Sequence, residues 1–192
     1  MPEYVTSSRI ENPGSIWIMG LSASGKSTLA GLLSDRLRRE GYPCMLLDGE
    51  EVRRIFDERL GYDVASRRKQ TRRILRLTRW ISDQGILPVV AIIHPFEDDR
   101  LNCRATLDGY FEVYLKCPLE ACVLRDAKKV YQPALDGTAM DVVGVDIPYD
   151  PPAQSDLVLE SDRLLPDELL DLLWERVRAG LLPGYQVRLV EA

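Results

Sequence analysis

The 192-residue chain carries 29% charged residues and a formal net charge of −5, so it can bury one sizeable core and reads as a single domain over residues 1–192. That acidity argues against a dedicated nucleic-acid or membrane surface, and no apolar run is long enough to span a bilayer. Met1 to Pro13 form a polar N-terminal extension without the apolar centre of a secretory signal, which points to a cytoplasmic protein. Cys44, Cys103, Cys117 and Cys122 include no C-x-x-C pair, so buried thiols are expected rather than disulfides or a zinc site.

The first predicted strand is Ser15–Met19, and the run Gly20-Leu21-Ser22-Ala23-Ser24-Gly25-Lys26-Ser27-Thr28 follows it directly. This run fits the phosphate-loop pattern G-x-x-x-x-G-K-[ST]. Its glycines let the backbone curl so that successive N–H groups face an anion. Lys26 supplies a mobile positive charge for the outer phosphates of a nucleoside triphosphate, and Ser27 supplies a hydroxyl for Mg²⁺. A chance match in a Gly/Ser-rich turn is the alternative, and the strand before and helix after argue against it.

Helical periodicity follows at Ser27–Glu40, then a strand at Cys44–Asp48, helices at Glu50–Arg59 and Ser66–Gln84, and a strand at Ile86–Ile93. Next come a helix at Asp98–Leu107, a strand at Phe111–Lys116, a helix at Leu119–Asp126, a strand at Asp156–Leu159 and a helix at Pro166–Gly180. Short apolar strands alternating with helices predict an α/β fold, a parallel sheet covered on both faces in three layers. Ligands on such sheets gather at the carboxyl ends of the strands. Residues 127–152 lack clear periodicity and hold several Gly and Pro residues, which marks a lid over the site, with a disordered insertion as the alternative. In the tail, 183–192, the alternating stretch Tyr185–Val190 reads as an added edge strand.

Asp48 closes the second strand beside the phosphate loop. There a carboxylate can hold the water shell of magnesium or take a proton from an attacking hydroxyl, and an N-cap for the following helix is the competing role. On the long helix, 100° per residue places Arg67 and Gln70 on the side of Ile74, Leu77 and Ile81. Arg68, Lys69, Arg72, Arg76 and Arg79 then spread over an opposite, solvated face. His94, the only histidine, ends the third strand. It can contact an acceptor, or cap a turn or pack against Pro95, and an imidazole is a group whose charge can change near physiological pH.

Gly20–Thr28, Leu47-Asp48-Gly49-Glu50-Glu51-Val52-Arg53, Arg125-Asp126-x-Lys128 with Tyr131, and Gly144-Val145-Asp146-x-Pro148-Tyr149-x-x-Pro152 occur in the order and spacing of adenylylsulfate (APS) kinase, which residues 14–180 resemble. The resemblance implies a kinase with a P-loop nucleoside-triphosphate fold, moving the ATP γ-phosphate to the 3′-hydroxyl of an adenosine 5′-phosphosulfate-like nucleotide with Mg²⁺ and a closing lid. It implies Asp48 and Lys26 as catalytic groups, the phosphate loop and Arg125 for ATP, and Arg53, Tyr62, Arg67, Gln70, Ile93, His94 and Lys128 for a small-molecule nucleotide acceptor. It also implies a homodimer.

The departures from the family pattern fall on the acceptor side. Gln70 stands for Asn, Ile93-His94-Pro95-Phe96-Glu97 for Ile-Ser-Pro-Tyr-Arg, and Lys128-Lys129-Val130-Tyr131 for Lys-Gly-Leu-Tyr. Gln132–Asp136 replaces a basic stretch, and Val142 replaces an aromatic residue. Less positive charge and less stacking surface favour an acceptor with less negative charge or a different base. The resemblance and these departures together give an acceptor that is APS or a related activated nucleotide, with a cytidine diphosphoramidate kinase as the alternative. A regulatory GTPase would need an N-K-x-D stretch, which is lacking. A nucleotide switch or an ATPase without an acceptor is the reading from a different class.

Overall fold

In a computed structural model of the chain, the structure describes residues 12–184. Five parallel strands form one sheet in the order β2-β3-β1-β4-β5, with β1 Ser15–Met19, β2 Cys44–Asp48, β3 Leu87–Ile92, β4 Tyr110–Lys116 and β5 Leu157–Glu160. The inner strands β1 and β3 are buried at every position, as a sheet covered on both faces requires. Their register sets Ile18 against Ala91 and Met19 against Ile92. The strand order reverses between β1 and β3, so the crevice beyond their carboxyl ends is where a ligand fits.

Helices α1 Lys26–Arg39 and α7 Pro166–Gly180 cover one face, packing Leu29, Leu33 and Leu37 with Leu169, Leu173 and Val177. On the other face lie α2 Gly49–Ile55, α3 Val64–Ser82 and α4 Glu97–Thr106, with Trp17 at the centre among Val52, Ile74, Ile81 and Leu107. A third, smaller cluster joins Cys117 and Cys122 to Tyr131 and Val142, below the phosphate loop.

Several expected boundaries shift. The helix after Asp48 stops at Ile55 rather than Arg59, because Phe56 turns extended and Glu58 is drawn to α3, where it pairs with Arg73 at 2.5 Å and with Lys69. α3 begins two residues early, at Val64, since the Asp63 side chain accepts from Ser66 N at 2.9 Å and caps it. Residues 127–152 are not without regular structure. They hold the short helix α6 Tyr131–Leu135 and a bridged turn between Val143 and Ile147, after α5 Leu119–Leu124. Cys103, Cys117 and Cys122 are buried free thiols, and Cys44 is half-buried. The strand expected at Tyr185–Val190 lies outside the described residues.

Candidate active site

One cavity of about 330 Å³ opens at the carboxyl ends of β1, β2 and β3. It is lined by the phosphate loop from Ser22 to Thr28 except Ser24, by Asp48 and Arg53, by Arg67 and Gln70 of α3, by Ile93 and His94 after β3, and by Arg125 and Lys128. Gly20, Leu21, Ser24 and Tyr62 stand outside it. Gly20 sits at φ +150 with its α-carbon hard against β4, so that a Cβ would lie 2.4 Å from the Leu115 carbonyl oxygen. Ser24 is buried behind the loop, and Leu21 faces a second cleft with Tyr114 and Tyr149.

Gly25 is left-handed at φ 98 and caps α1, whose first turn therefore points its free N–H groups at the cavity. Lys26 is buried; its ammonium donates to the Leu21 carbonyl and reaches Ser24 Oγ at 3.5 Å. Burial lowers its pKa to about 8, against smaller opposing contributions from Cys122 and Asp48. A triphosphate needs the charged form, so nucleotide binding above pH 8 takes up a proton. The ATP Kd is expected to climb toward tenfold per pH unit above about pH 8. Arg stays protonated throughout, and Lys26→Arg should flatten that slope in a titration from pH 7 to 9.5.

Asp48 performs two tasks at once. Its Oδ1 accepts from Glu50 N at 2.9 Å and caps α2, while Oδ2 accepts from Ser27 Oγ at 2.5 Å. Capping and facing the phosphate loop are therefore not alternatives, because a carboxylate has an oxygen for each. Ser27 and Asp48 offer hard oxygen donors of the kind magnesium prefers.

Of the residues expected to bind an acceptor, Arg53, Arg67 and Gln70 line the same cavity. Arg53 donates to the Gly61 carbonyl at 2.9 Å and lies 4.7 Å over the Tyr62 ring. Tyr62 is exposed, and its hydroxyl donates to Glu50 at 3.1 Å, so it covers the arginines from outside rather than lining the cavity. Arg67 donates to the Asp141 carbonyl at 2.7 Å. Burial and the nearby Arg53 lower its pKa, the signature of two cations facing one space. Gln70 is buried and donates to the Gly49 carbonyl at 3.2 Å, leaving Oε1 without a protein partner.

His94 departs from its sequence reading. The ring is buried 5.3 Å from Trp17, and burial with the Arg100 charge drives its pKa down to about 3. The imidazole is neutral throughout the physiological range. Arg68 also leaves the solvated face assigned to it: it bonds Asp98 at 2.6 Å and Asp99 at 3.2 Å on α4. Three of the departures on the acceptor side, two expected to weaken anion binding and one to reduce stacking, lie away from the cavity. Glu97 and Asp136 are exposed, and Val142 packs into the third cluster with Tyr131. Arg53 and Arg67 both line the cavity.

A family model described as adenylylsulphate kinase matches residues 12–160. The chain belongs to the adenylylsulfate kinase family. It is 36% identical over 166 residues to a probable adenylyl-sulfate kinase of Halalkalibacterium halodurans, covering 85% of this chain and 82% of that one. An adenylyl-sulfate kinase of Clostridium kluyveri is 40% identical over 148 residues, 77% of this chain and 74% of that one. Among solved structures, the Mycobacterium tuberculosis APS kinase CysC in complex with AMPPNP and APS superposes with a TM-score of 0.80 at 32% identity, covering 85% of this chain and 96% of that chain. A shikimate kinase from Aquifex aeolicus, at 18% identity and a TM-score of 0.56, shares the P-loop kinase fold alone.

One residue of this family member escapes a reading from motifs, and a second, Asp146 of the Gly144-Val145-Asp146 turn, shows what its motif does. Arg100 is buried on α4 and donates to the carbonyls of His94 and Asp150, each at 2.8 Å. Its spacing with Cys103 and Leu107, at i, i+3 and i+7, is the signal that could have revealed an inward face. Asp146 accepts from Val142 N at 2.7 Å and from Asp141 N at 2.5 Å, closing the turn that carries the Arg67 contact.

Proposed function

We propose that the chain transfers the γ-phosphoryl group of ATP to the 3′-hydroxyl of adenylylsulfate. The observation that carries this reading is a single cavity lined together by the Ser27–Asp48 pair, 2.5 Å apart, the phosphate-loop lysine, and Arg53 and Arg67. In that arrangement the phosphate loop and Lys26 hold the donor's phosphates, and the two arginines hold the anionic end of the acceptor. Asp48 accepts the proton of the attacking hydroxyl through Oδ2 once Ser27 Oγ turns away from it. Ser27 and Asp48 would hold Mg²⁺, which when bound neutralises charge on the transferring phosphates. Arg125 and Lys128 add cations on the far side of the phosphate loop, and residues 127–152 act as the lid.

Adenylylsulfate is preferred over a cytidine-linked acceptor because the relatives at 36% and 40% identity are named for it. The substitutions that suggested a less anionic acceptor also leave the arginine pair in place. Kinetics with ATP and either adenylylsulfate or cytidine diphosphate-linked acceptors test this, scored by 3′-phosphorylated product. Adenylylsulfate is expected to give the higher kcat/KM, and the reverse order would overturn the choice. No helix among the described residues is long and apolar enough to cross a membrane. The homodimer that the resemblance implies is checked by sedimentation.

His94 lines the acceptor end with both ring nitrogens buried and without protein partners. His94→Ala is expected to raise the acceptor KM by about tenfold, the cost of roughly one lost hydrogen bond, while kcat falls less than threefold. The neutral ring also predicts no step in acceptor KM between pH 5.5 and 7.5 from this group, which the wild-type pH profile checks.

A further inference from the structure

The segment 127–152 is fastened at its two ends to different sides of the cavity. Near its start, the Tyr131 hydroxyl donates to the Ser22 carbonyl of the phosphate loop at 3.0 Å, and Tyr131 N donates to the Asp126 carboxylate at 2.7 Å. Near its end, the ties run to the acceptor wall. Arg100 Nη1 donates to the His94 carbonyl and Nη2 to the Asp150 carbonyl, each at 2.8 Å, while Asp150 N donates to the Pro95 carbonyl at 3.1 Å. Arg67 adds the contact to the Asp141 carbonyl at 2.7 Å.

Arg100 is an unusual residue to spend on backbone carbonyls. It is 3% exposed, and among the described residues it forms no ion pair. A buried guanidinium without a carboxylate is costly, and it is retained where its rigid fork does something a neutral side chain cannot. The carbonyl it grips belongs to His94, which sits at φ 52, a left-handed conformation uncommon outside glycine although histidine tolerates it better than most side chains. Backbone strain of this kind persists where the surroundings fix it, and here one prong of the fork fixes it. The other prong holds the last turn of the lid.

We propose that Arg100 is a positioning residue that ties the acceptor wall at His94 to the trailing end of the lid at Asp150, so that acceptor occupancy is transmitted to the end of the lid through its guanidinium, alongside the Arg67 tie to Asp141. Tyr131 does the same for the donor at the leading end. The inference rests on the reading that the acceptor seats against Ile93 and His94. The lid then has two independent feet, each reporting one substrate. A second substrate is bound more tightly once the first has seated its own foot, because the ordering of the shared segment is already accomplished.

Amide hydrogen exchange of the full chain tests this in wild type, Arg100→Lys and Tyr131→Phe, with Mg·ADP and adenylylsulfate added separately and together. Lysine keeps the charge but cannot bridge both carbonyls with a planar fork. In Arg100→Lys, protection of residues 141–150 by adenylylsulfate is expected to fall by about fivefold or more, with protection by Mg·ADP of residues 127–135 unchanged within about twofold. The acceptor KM should rise while the ATP KM holds. Tyr131→Phe should reverse the pattern. Adenylylsulfate protection retained in Arg100→Lys would overturn the proposal, as would equal loss of protection by both ligands, the result of a merely structural role. Turnover of adenylylsulfate by wild type is scored in the same preparation. Turnover without acceptor-dependent protection of 141–150 overturns the coupling alone, and absence of both overturns the coupling together with the assigned acceptor.

Discussion

Asp48→Asn is expected to lower kcat by about 10²- to 10⁴-fold, the usual contribution of a positioned general base, with little change in thermal stability. The separation of the two effects follows from the division of labour between the carboxylate oxygens. Oδ1 caps α2 through Glu50 N, and Asn is as good a cap as Asp, so the helix start survives the exchange. Oδ2 faces Ser27 Oγ, and an amide in its place can neither take a proton at neutral pH nor complement a divalent cation. Asp48→Ala removes both, and should add a stability loss of about 1 kcal/mol for the cap. Steady-state kinetics beside a melting curve check the pair. An Asn variant within threefold of wild type in kcat would remove Asp48 from the chemistry.

Lys26→Ala is the second large effect, and its signs are opposite for activity and stability. kcat/KM for ATP is expected to drop by about 10²- to 10³-fold, because a preorganised cation aimed at the phosphates is lost. Stability should hold or rise. The Lys26 pKa is depressed from 10.5 to about 8, so burial disfavours the charged form, and between those values the unfolded chain holds a proton that the folded chain releases. Wild-type stability therefore gains from this group as pH rises from 8 to 10.5, and below pH 8 the group carries its full penalty, up to about 3 kcal/mol. Chemical denaturation at pH 7 should find Lys26→Ala at least as stable as wild type. Loss of stability with retained turnover would contradict the assignment of Lys26 to the phosphates.

The donor half of the site was legible because its geometry is local. A strand running into Gly20–Thr28 and then a helix leaves the backbone few other paths, and Asp48 lies at the end of the next strand by simple alternation. The acceptor half depends on contacts distant in sequence. Gln70 could be turned inward by helical periodicity, but the tie from Arg67 to Asp141, 74 residues away, has no local signature. Glu97 and Val142 show the limit of reading residue type without position: the one suggested a weakened anion site and the other a smaller stacking surface, and their positions take both out of the cavity. The early stop of α2 was hidden likewise, since Glu58 leaves the helix for partners on α3. The Asp63 cap was readable, with an acidic side chain three residues before Ser66.

His94 illustrates how burial overrides residue type. A histidine at a strand end suggests a titrating group, yet enclosure beside Trp17 and Arg100 keeps it neutral. Its contribution is the shape and hydrogen-bonding capacity of one wall, and that wall is held by Arg100 from behind.

The central claim is group transfer from ATP to an acceptor alcohol, and the fate of the γ-phosphorus tests it most directly. ATP labelled at that atom is incubated with adenylylsulfate and wild-type protein, and the products are separated. The account predicts label on the 3′-oxygen of the acceptor's ribose in proportion to the ADP formed. Label appearing as inorganic phosphate at a rate indifferent to the acceptor would contradict it.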